Sequence, residues 1–126
     1  MAILIVEDNA TNGMIIRHLA KKVHEGEIIV ETDAKEALAR CRAADFDLLI
    51  VDQVMPGMTG VQFTRALRAM ERYRLTPVVM VTADHSPDLR QEAEAAGVSD
   101  FLTKPVEALA FRKLIASLAI ARPAVA

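Results

Sequence analysis

Short apolar runs alternate with longer amphipathic segments along the chain. The short runs are rich in β-branched residues and are bounded by turn or capping residues, which predicts strands. They cover residues 2–6, 27–31, 48–51, 77–81 and 100–102. Three of them are continuously apolar, as expected for strands that are covered on both faces.

The segments between these runs carry the signals of helix ends. Helix starts are indicated by the pairs Asp33 and Glu36, Thr59 and Gln62, and Ser86 and Pro87. The first two pairs have the spacing of a capping box, and the third places proline at the first helical position. Gly97 can close the fourth helix. The first helix is predicted over about 11–23 and the last over about 106–120.

The resulting order is a strand followed by a helix, repeated five times. Such an order predicts an α/β fold with a parallel sheet, helices on both faces and right-handed crossovers. At 126 residues the chain has the length of one domain, which we predict to span 1–121 with a tail at 122–126.

Composition narrows the class of protein. Hydrophobic residues make up 52% and charged residues 25%, as in a globular protein, and no apolar run is long enough to span a membrane. A net charge of −2 gives no electrostatic signature of nucleic-acid binding. Met1 leads directly into an apolar run without the basic start of a secretory signal, and a single cysteine, Cys41, allows no internal disulfide. A cytoplasmic protein is expected.

The candidate chemistry lies where the strands end. In open α/β sheets the binding crevice is outside the carboxyl ends of the strands. The first strand is followed by Glu7 and Asp8, the third by Asp52, the fourth by Thr82, and the fifth by Thr103 and Lys104. Three carboxylates about 5 Å apart repel by roughly 3 kcal/mol per pair at an effective dielectric constant of about 20, so they need a cation.

An all-oxygen ligand set points to a hard ion such as Mg²⁺, which completes its shell with water and phosphate. Beside it, Lys104 can neutralise one phosphoryl oxygen and Thr82 can donate a hydrogen bond to another. Asp52 can supply the attacking oxygen of an acyl-phosphate intermediate.

Four motifs together resemble the response-regulator receiver domain, the CheY-like family. They are "VED" at 6–8, "LLIVDQVMPGMTG" at 48–60, "VTAD" at 81–84 and "FLTKP" at 101–105. The resemblance covers essentially the whole chain, in the family's order and spacing. It implies a doubly wound, flavodoxin-like sheet of strand order 2-1-3-4-5, with helices one and five on one face and helices two to four on the other.

The resemblance also implies roles for individual residues. Asp52 would be the phosphoacceptor, and Thr82 and Lys104 would bind the phosphoryl oxygens. Mg²⁺ would be held by the carboxylates of Glu7, Asp8 and Asp52 and by the backbone carbonyl of Val54. The peptide between Lys104 and Pro105 would be cis. Phe101 would take the switch position, where an aromatic ring turns inward as the threonine moves.

The chain departs from the family beside the acceptor. Val54 is apolar where the family often has a polar residue, and Asp84 stands two residues past the threonine. Because these neighbours help to govern the access of hydrolytic water, we hypothesise that Val54 lengthens the lifetime of the phosphoryl group.

Two helical surfaces are candidates for partner contacts. In the first helix Ile15, Leu19 and Val23 are spaced to face the core, which leaves Met14 outside that stripe. Receivers commonly dock this helix against the helical bundle that bears the donor histidine, in a histidine kinase or a histidine phosphotransfer protein. Merely shielding its neighbours is an equally simple role for Met14.

In the last helix the core stripe is predicted to be Phe111, Ile115 and Leu118. Leu109 and Ile120 fall on the opposite side of that helix. The family often uses helix four, strand five and helix five for dimers or targets, so a partner or a homodimer is expected there. The stretch "EDNATN" at 7–12 resembles receivers of hybrid histidine kinases and phosphorelays, although helix capping explains it equally well. A stand-alone regulator and an excised receiver both remain open.

The leading interpretation is a phosphorylated signalling module of two-component signal transduction, which acts as a switch. It is not expected to be an enzyme, apart from self-catalysed phosphotransfer and autodephosphorylation. A phosphohydrolase of the haloacid-dehalogenase kind would carry a second Asp at the position of Val54. A flavin-binding protein of similar architecture would need a phosphate loop without the acids Glu7 and Asp8. A further alternative is a pseudo-receiver that serves only as a docking scaffold. A measurement of metal binding would distinguish it from a phosphorylated receiver.

Overall fold

The computed structural model describes the backbone of residues 2–121 and the side chains of residues 2–118. Its strands are β1 (Ala2–Val6), β2 (Glu27–Glu31), β3 (Leu48–Asp52), β4 (Val78–Thr82) and β5 (Asp100–Thr103). Its α-helices are α1 (Ala10–Lys21), α2 (Ala34–Ala43), α3 (Gly60–Arg68), α4 (Pro87–Ala96) and α5 (Ala108–Ala121), and a short 3₁₀ helix covers Glu71–Tyr73. All five predicted strands are present within one residue at each end. The predicted tail at 122–126 lies outside the described residues.

The five strands form one parallel sheet in the order β2-β1-β3-β4-β5, which confirms the predicted fold class. β3 is buried along its whole length. Its side chains alternate between two cores, because successive residues of a strand point to opposite faces. Leu48 and Ile50 pack with residues of α1 and α5, whereas Leu49 and Val51 pack with residues of α2 and α3. None of the helices within residues 2–121 is long and apolar enough to cross a membrane.

The helix starts are capped largely as predicted. Thr59 and Gln62 form a complete capping box, and the Ser86 side chain accepts from the backbone N–H of Leu89. At α2 only half of the predicted box forms. The Asp33 carboxylate accepts from the Glu36 N–H, but the Asp33 N–H donates to the Glu31 side chain instead of to Glu36.

The buried face of α1 differs from the prediction. Its buried residues are Gly13, Ile16 and Ala20, whereas Ile15 is 51% exposed. The placement of Ile15 in the core stripe was therefore wrong, and Leu19 and Val23 lie partly buried at the edge of that core. The helix approaches β2 so closely that a Cβ on Gly13 would lie 2.7 Å from a methyl carbon of Val30. This contact turns Ile16 inward and leaves Met14 and Ile15 on the surface.

The core stripe of α5 was predicted correctly. Phe111 and Ile115 are buried against the same core as Ile16, and Leu118 is partly buried beside them. Leu109 is exposed, as expected. The side chain of Ile120 lies outside the described residues.

Side chains from α3 and from the 3₁₀ helix fix the connection between α3 and β4. The Arg68 guanidinium donates to the backbone carbonyls of Tyr73, Thr76 and Gly97, the last two at 2.6 and 2.7 Å. Burial lowers the pKa of Arg68. The buried Tyr73 hydroxyl donates to the Ala44 carbonyl and thereby links this connection to the end of α2.

Candidate functional site

Strand alternation places three charged side chains on the sheet face that α1 and α5 cover. Glu7 directly follows β1, Asp52 ends β3, and Lys104 directly follows β5. The residues two positions earlier are Ile5, Ile50 and Leu102. All three belong to the core beneath α1 and α5. Since side chains two apart on a strand share a face, the fold brings these charges together.

Lys104 lies between two of the acids. Its Nζ is 2.9 Å from Asp52 Oδ1 and 3.3 Å from Glu7 Oε1. Glu7 and Asp52 are 1% and 4% exposed, whereas Asp8 is exposed. One carboxylate oxygen from each of Glu7, Asp8 and Asp52 can be chosen so that all three atoms lie within 4.8 Å of one another.

The single ammonium of Lys104 does not neutralise the negative charge of the acidic cluster. Burial, followed by the hydrogen bond and the negative charge of Asp52, raises the pKa of Glu7 to about 7. Partial burial alone would disfavour the Lys104 ammonium, but the Asp52 and Glu7 carboxylates outweigh it and raise the pKa of Lys104. Glu7 Oε2 is buried without a hydrogen-bond partner among the described residues. A buried, unpaired carboxylate oxygen is costly, and a hard cation with oxygen ligands would satisfy it.

The other sheet face carries Thr82 and Phe101. Thr82 lies two residues after Met80, whose side chain packs in a core with residues of α3 and α4, and Phe101 packs against that same core. Both residues line a cavity of about 80 Å³ together with Leu89 and Arg90 of α4. The Thr82 hydroxyl accepts from the backbone N–H of Asp84. Thr82 and Lys104 therefore approach the end of the sheet from opposite faces.

The loop after Asp52 is held by the start of α3. The Gly60 N–H donates to the Gln53 carbonyl, and the Gln53 side chain accepts from the Val61 N–H. A Cβ on Gly60 would lie 2.7 Å from the Asp52 carbonyl oxygen. Only glycine allows α3 to begin this close to the backbone of Asp52. Val54, in the same loop, is 75% exposed.

A groove opens beside the charged cluster. The Lys104–Pro105 peptide is cis, and Pro105 lines this groove of about 340 Å³. The other lining residues are Glu7, Asn12, Ile15, Ile16, Val81, Lys104 and Val106. The lining is thus largely apolar, with the paired Glu7 carboxylate and Lys104 ammonium as its charged groups.

The structure groups the sequence-predicted residues into two sets. Glu7, Asp8, Asp52 and Lys104 form one cluster, and Thr82 with Phe101 lines the adjacent cavity. Three further residues that touch this region were missed by sequence reasoning. Gly60 packs on the Asp52 backbone, Gln53 anchors α3, and the Arg90 guanidinium lies over the Phe101 ring. Of these, only Gly60 carries a signal in the sequence, as a glycine just after a predicted N-cap.

Comparisons with known proteins agree with this architecture. A family model described as the response regulator receiver domain matches residues 3–116. The chain is 39% identical over 115 residues to the chemotaxis protein CheY of Pseudomonas aeruginosa, which covers 91% of this chain and 93% of that protein. It is 34% identical over 122 residues to the sensory/regulatory protein RpfC of Xanthomonas campestris, covering 95% of this chain but only 17% of RpfC.

Solved structures show the same fold. The chemotaxis response regulator CheY4 of Vibrio cholerae superposes with a TM-score of 0.86 at 32% identity, over 93% of this chain and 97% of that one. A second structure is the receiver domain of the sensor histidine kinase PA1611 from Pseudomonas aeruginosa, solved with a magnesium ion in its active site cleft. Its TM-score is 0.83 at 26% identity, over 93% of this chain and 95% of that one. A third structure is the complex of the Saccharomyces cerevisiae histidine phosphotransfer protein Ypd1 with the receiver domain of Ssk1. The matched chain has a TM-score of 0.83 at 25% identity, over 95% of this chain and 89% of that one.

Proposed function

The chain belongs to the response-regulator receiver family, and we propose that Asp52 accepts a phosphoryl group from a phosphohistidine on a partner protein. Receiver domains are signalling modules of two-component systems. The observation that carries the proposal is the placement of Lys104, whose ammonium lies 2.9 Å from Asp52 and 3.3 Å from Glu7 at the open edge of the sheet. A cation held there can stay in contact with Asp52 and meet the oxygens of an incoming phosphoryl group.

In the proposed transfer an Asp52 carboxylate oxygen attacks phosphorus. The bond from phosphorus to the donor imidazole nitrogen breaks, and the electron pair returns to that nitrogen, which takes up a proton. Lys104 compensates the charge of the phosphoryl oxygens, and the Thr82 hydroxyl donates to one of them from the opposite face of the sheet. The Thr82 hydroxyl accepts from the N–H of Asp84, and its own hydrogen remains available for this donation.

The acidic cluster fits Mg²⁺ by its donor set and by the unpartnered Glu7 Oε2. We propose that the carboxylates of Glu7, Asp8 and Asp52 hold the ion together with the backbone carbonyl of Val54. When bound, Mg²⁺ neutralises negative charge on the phosphoryl oxygens and on the acids. The solved PA1611 receiver, with its magnesium ion, supports this assignment.

Phosphorylation is tested by intact mass after incubation with Mg²⁺ and acetyl phosphate. We expect one phosphoryl adduct on the wild type and none on Asp52→Asn. Asp33→Asn is the matched control, because asparagine also caps helices and Asp33 lies at the start of α2. An adduct that survives in Asp52→Asn would refute the choice of acceptor.

The pseudo-receiver scaffold is the second candidate function, and the absence of an adduct on the wild type would favour it. A Mg²⁺ titration then separates a receiver that refuses small donors from a scaffold. Val54 at the second position after Asp52 carries no acid and cannot protonate a leaving group, so the phosphohydrolase alternative receives no support.

The groove suggests how a phosphohistidine donor docks. Ile15 and Met14 are exposed on α1 beside an opening that leads to Glu7 and Lys104. We propose that a helix of a histidine kinase or a histidine phosphotransfer protein covers this apolar edge; the complex of Ypd1 with the Ssk1 receiver supports that kind of partner. Ile15→Asp should slow transfer from a phosphorylated histidine protein at least about tenfold, yet leave the rate with acetyl phosphate within about twofold. Leu75→Asp, at an exposed residue before β4, is the control; equal slowing by both variants would contradict the docking site.

We further propose that the surface of α4, β5 and α5 contacts a target or a second copy after phosphorylation. Leu109 is 61% exposed at the start of α5, which supports this assignment. Leu109→Asp should weaken any association that sedimentation detects only in the phosphorylated protein. Association that is unaffected by this variant would place the contact elsewhere.

A further inference from the structure

Arg90 of α4 covers the ring of Phe101. Its guanidinium carbon is 4.3 Å from the ring centroid, within the range of a cation–π contact. Its side chain is 61% exposed, so most of it remains in water. An exposed arginine could extend into solvent in many rotamers, yet here it lies on the ring.

Phe101 borders empty space as well as Arg90. Its ring packs against the core beneath α3 and α4, and it lines the cavity of about 80 Å³ that also exposes Thr82. The ring therefore contacts a cation and borders an open space, which Arg90 lines as well.

We propose that Arg90 is a positioning residue that holds the Phe101 ring outward and opposes its movement into the cavity beside Thr82. The inference rests on the proposed function only in what the movement serves, since the contact itself exists without phosphorylation. A group bound at Asp52 that draws Thr82 inward would enlarge the space for the ring. Arg90 then sets how readily the protein adopts that state.

Glu94 is a second neighbour of the Arg90 guanidinium. It lies one helical turn after Arg90, with 4.0 Å between a carboxylate oxygen and a guanidinium nitrogen. This is the outer limit of an ion pair, so the carboxylate competes weakly with the ring for Arg90. Removing the charge of Glu94 should strengthen the hold on Phe101, and removing that of Arg90 should release it.

The size of the effect follows from the strength of exposed cation–π contacts. Loss of such a contact changes a two-state equilibrium by about two- to fivefold. A ligand that prefers the inward ring should then bind about two- to fivefold more tightly, because its apparent affinity scales with the population of the competent state. The probe we choose is fluoroberyllate with Mg²⁺, a non-reacting stand-in for a phosphoryl group on a carboxylate.

The first arm of the test measures fluoroberyllate affinity. Arg90→Gln should bind about two- to fivefold more tightly than the wild type, and Arg90→Lys, which keeps a cation, should stay closer to it. In a Phe101→Leu background the change at Arg90 should have no effect. Arg42→Gln removes the same charge from an exposed site on α2 and should also have none. An unchanged affinity in Arg90→Gln, or an equal gain with and without Phe101, would overturn the proposal.

The second arm needs no ligand. With ¹³C-labelled phenylalanine the chain gives signals from four residues, and that of Phe101 is identified by its loss in Phe101→Leu. Arg90→Gln should shift this signal and leave the others in place, whereas an unmoved signal would overturn the contact. If the wild type binds no fluoroberyllate, the proposed function fails, and the second arm still decides whether Arg90 positions the ring.

Discussion

Replacing Glu7 by glutamine should remove most of the pH dependence of stability that the acidic cluster creates in the metal-free protein. Glu7 is 1% exposed, and burial beside Asp52 raises its pKa from an ordinary 4.5 to about 7. Between these two values the folded chain holds a proton that the unfolded chain has released. Its contribution to stability is therefore full below about pH 4.5 and is lost as the pH rises through about 7.

The magnitude follows from the difference in pKa. One extra proton on the folded chain is worth about 1.4 kcal/mol for each pH unit across which it is held. From about pH 5.5 to about pH 8 the wild type should therefore lose about 2 kcal/mol of its free energy of unfolding through this group. Glutamine does not titrate, and its amide can donate to Asp52 as the protonated carboxyl does, so Glu7→Gln should lose far less.

The assay is urea unfolding at the two pH values, with a chelator present so that no divalent ion occupies the cluster. For each chain we compare the loss of free energy of unfolding between the two pH values. Taking the difference between chains cancels the titration of groups that they share. Glu92→Gln, at an exposed position of α4, is the control and should behave as the wild type does. Equal losses in the wild type and in Glu7→Gln would refute the assignment of a retained proton to Glu7.

Three further changes probe other parts of the fold. Arg68→Met should lower the free energy of unfolding by about 3 kcal/mol in a urea titration, because three backbone carbonyls lose a charged donor; a loss below about 1 kcal/mol would contradict this role. Gly13→Ala should lower the free energy of unfolding by about 1 kcal/mol or more, although alanine has the better helix propensity, because the added Cβ would meet Val30 at 2.7 Å. The double variant Gly13→Ala with Val30→Ala should recover part of this loss in the same titration. Val54→Asn should speed loss of the phosphoryl group, followed as the decay of the adduct mass, and an unchanged decay would refute the hypothesis that Val54 hinders water.

The cluster of charged residues was predictable because two simple regularities fix it. The carboxyl ends of parallel strands share one edge, and alternation decides which face each side chain joins. Glu7, Asp52 and Lys104 follow their strands directly, so little freedom remains in where they point. The strand order could not be derived in this way, because alternating strands and helices are compatible with several orders. It was predicted from the family resemblance alone.

The buried face of α1 could not be read from local pattern. Met14, Ile15 and Ile16 are three consecutive apolar residues, and each can begin a stripe with a period of 3.6. The choice is made by the close approach of Gly13 to Val30 on a neighbouring strand. Such a contact between distant segments is invisible to a periodicity argument.

The two structural arginines were equally hidden. Arg68 and Arg90 occupy helix positions that resemble ordinary solvated charges. The groups that they contact belong to other elements and loops, since Arg68 reaches the Gly97 carbonyl and Arg90 lies over Phe101. A long side chain near the end of a helix has too many possible partners for its sequence position to select one.

The division of the site between two faces of one sheet limits how the chain can change length. An added or deleted residue in a helix-to-strand loop leaves every side chain on its own face. One inserted residue within β5, by contrast, would exchange the faces of Phe101 and Leu102 and turn Lys104 away from Asp52, because side chains alternate with a period of two. Length variation is thus tolerated around this site but not within the strands that carry it.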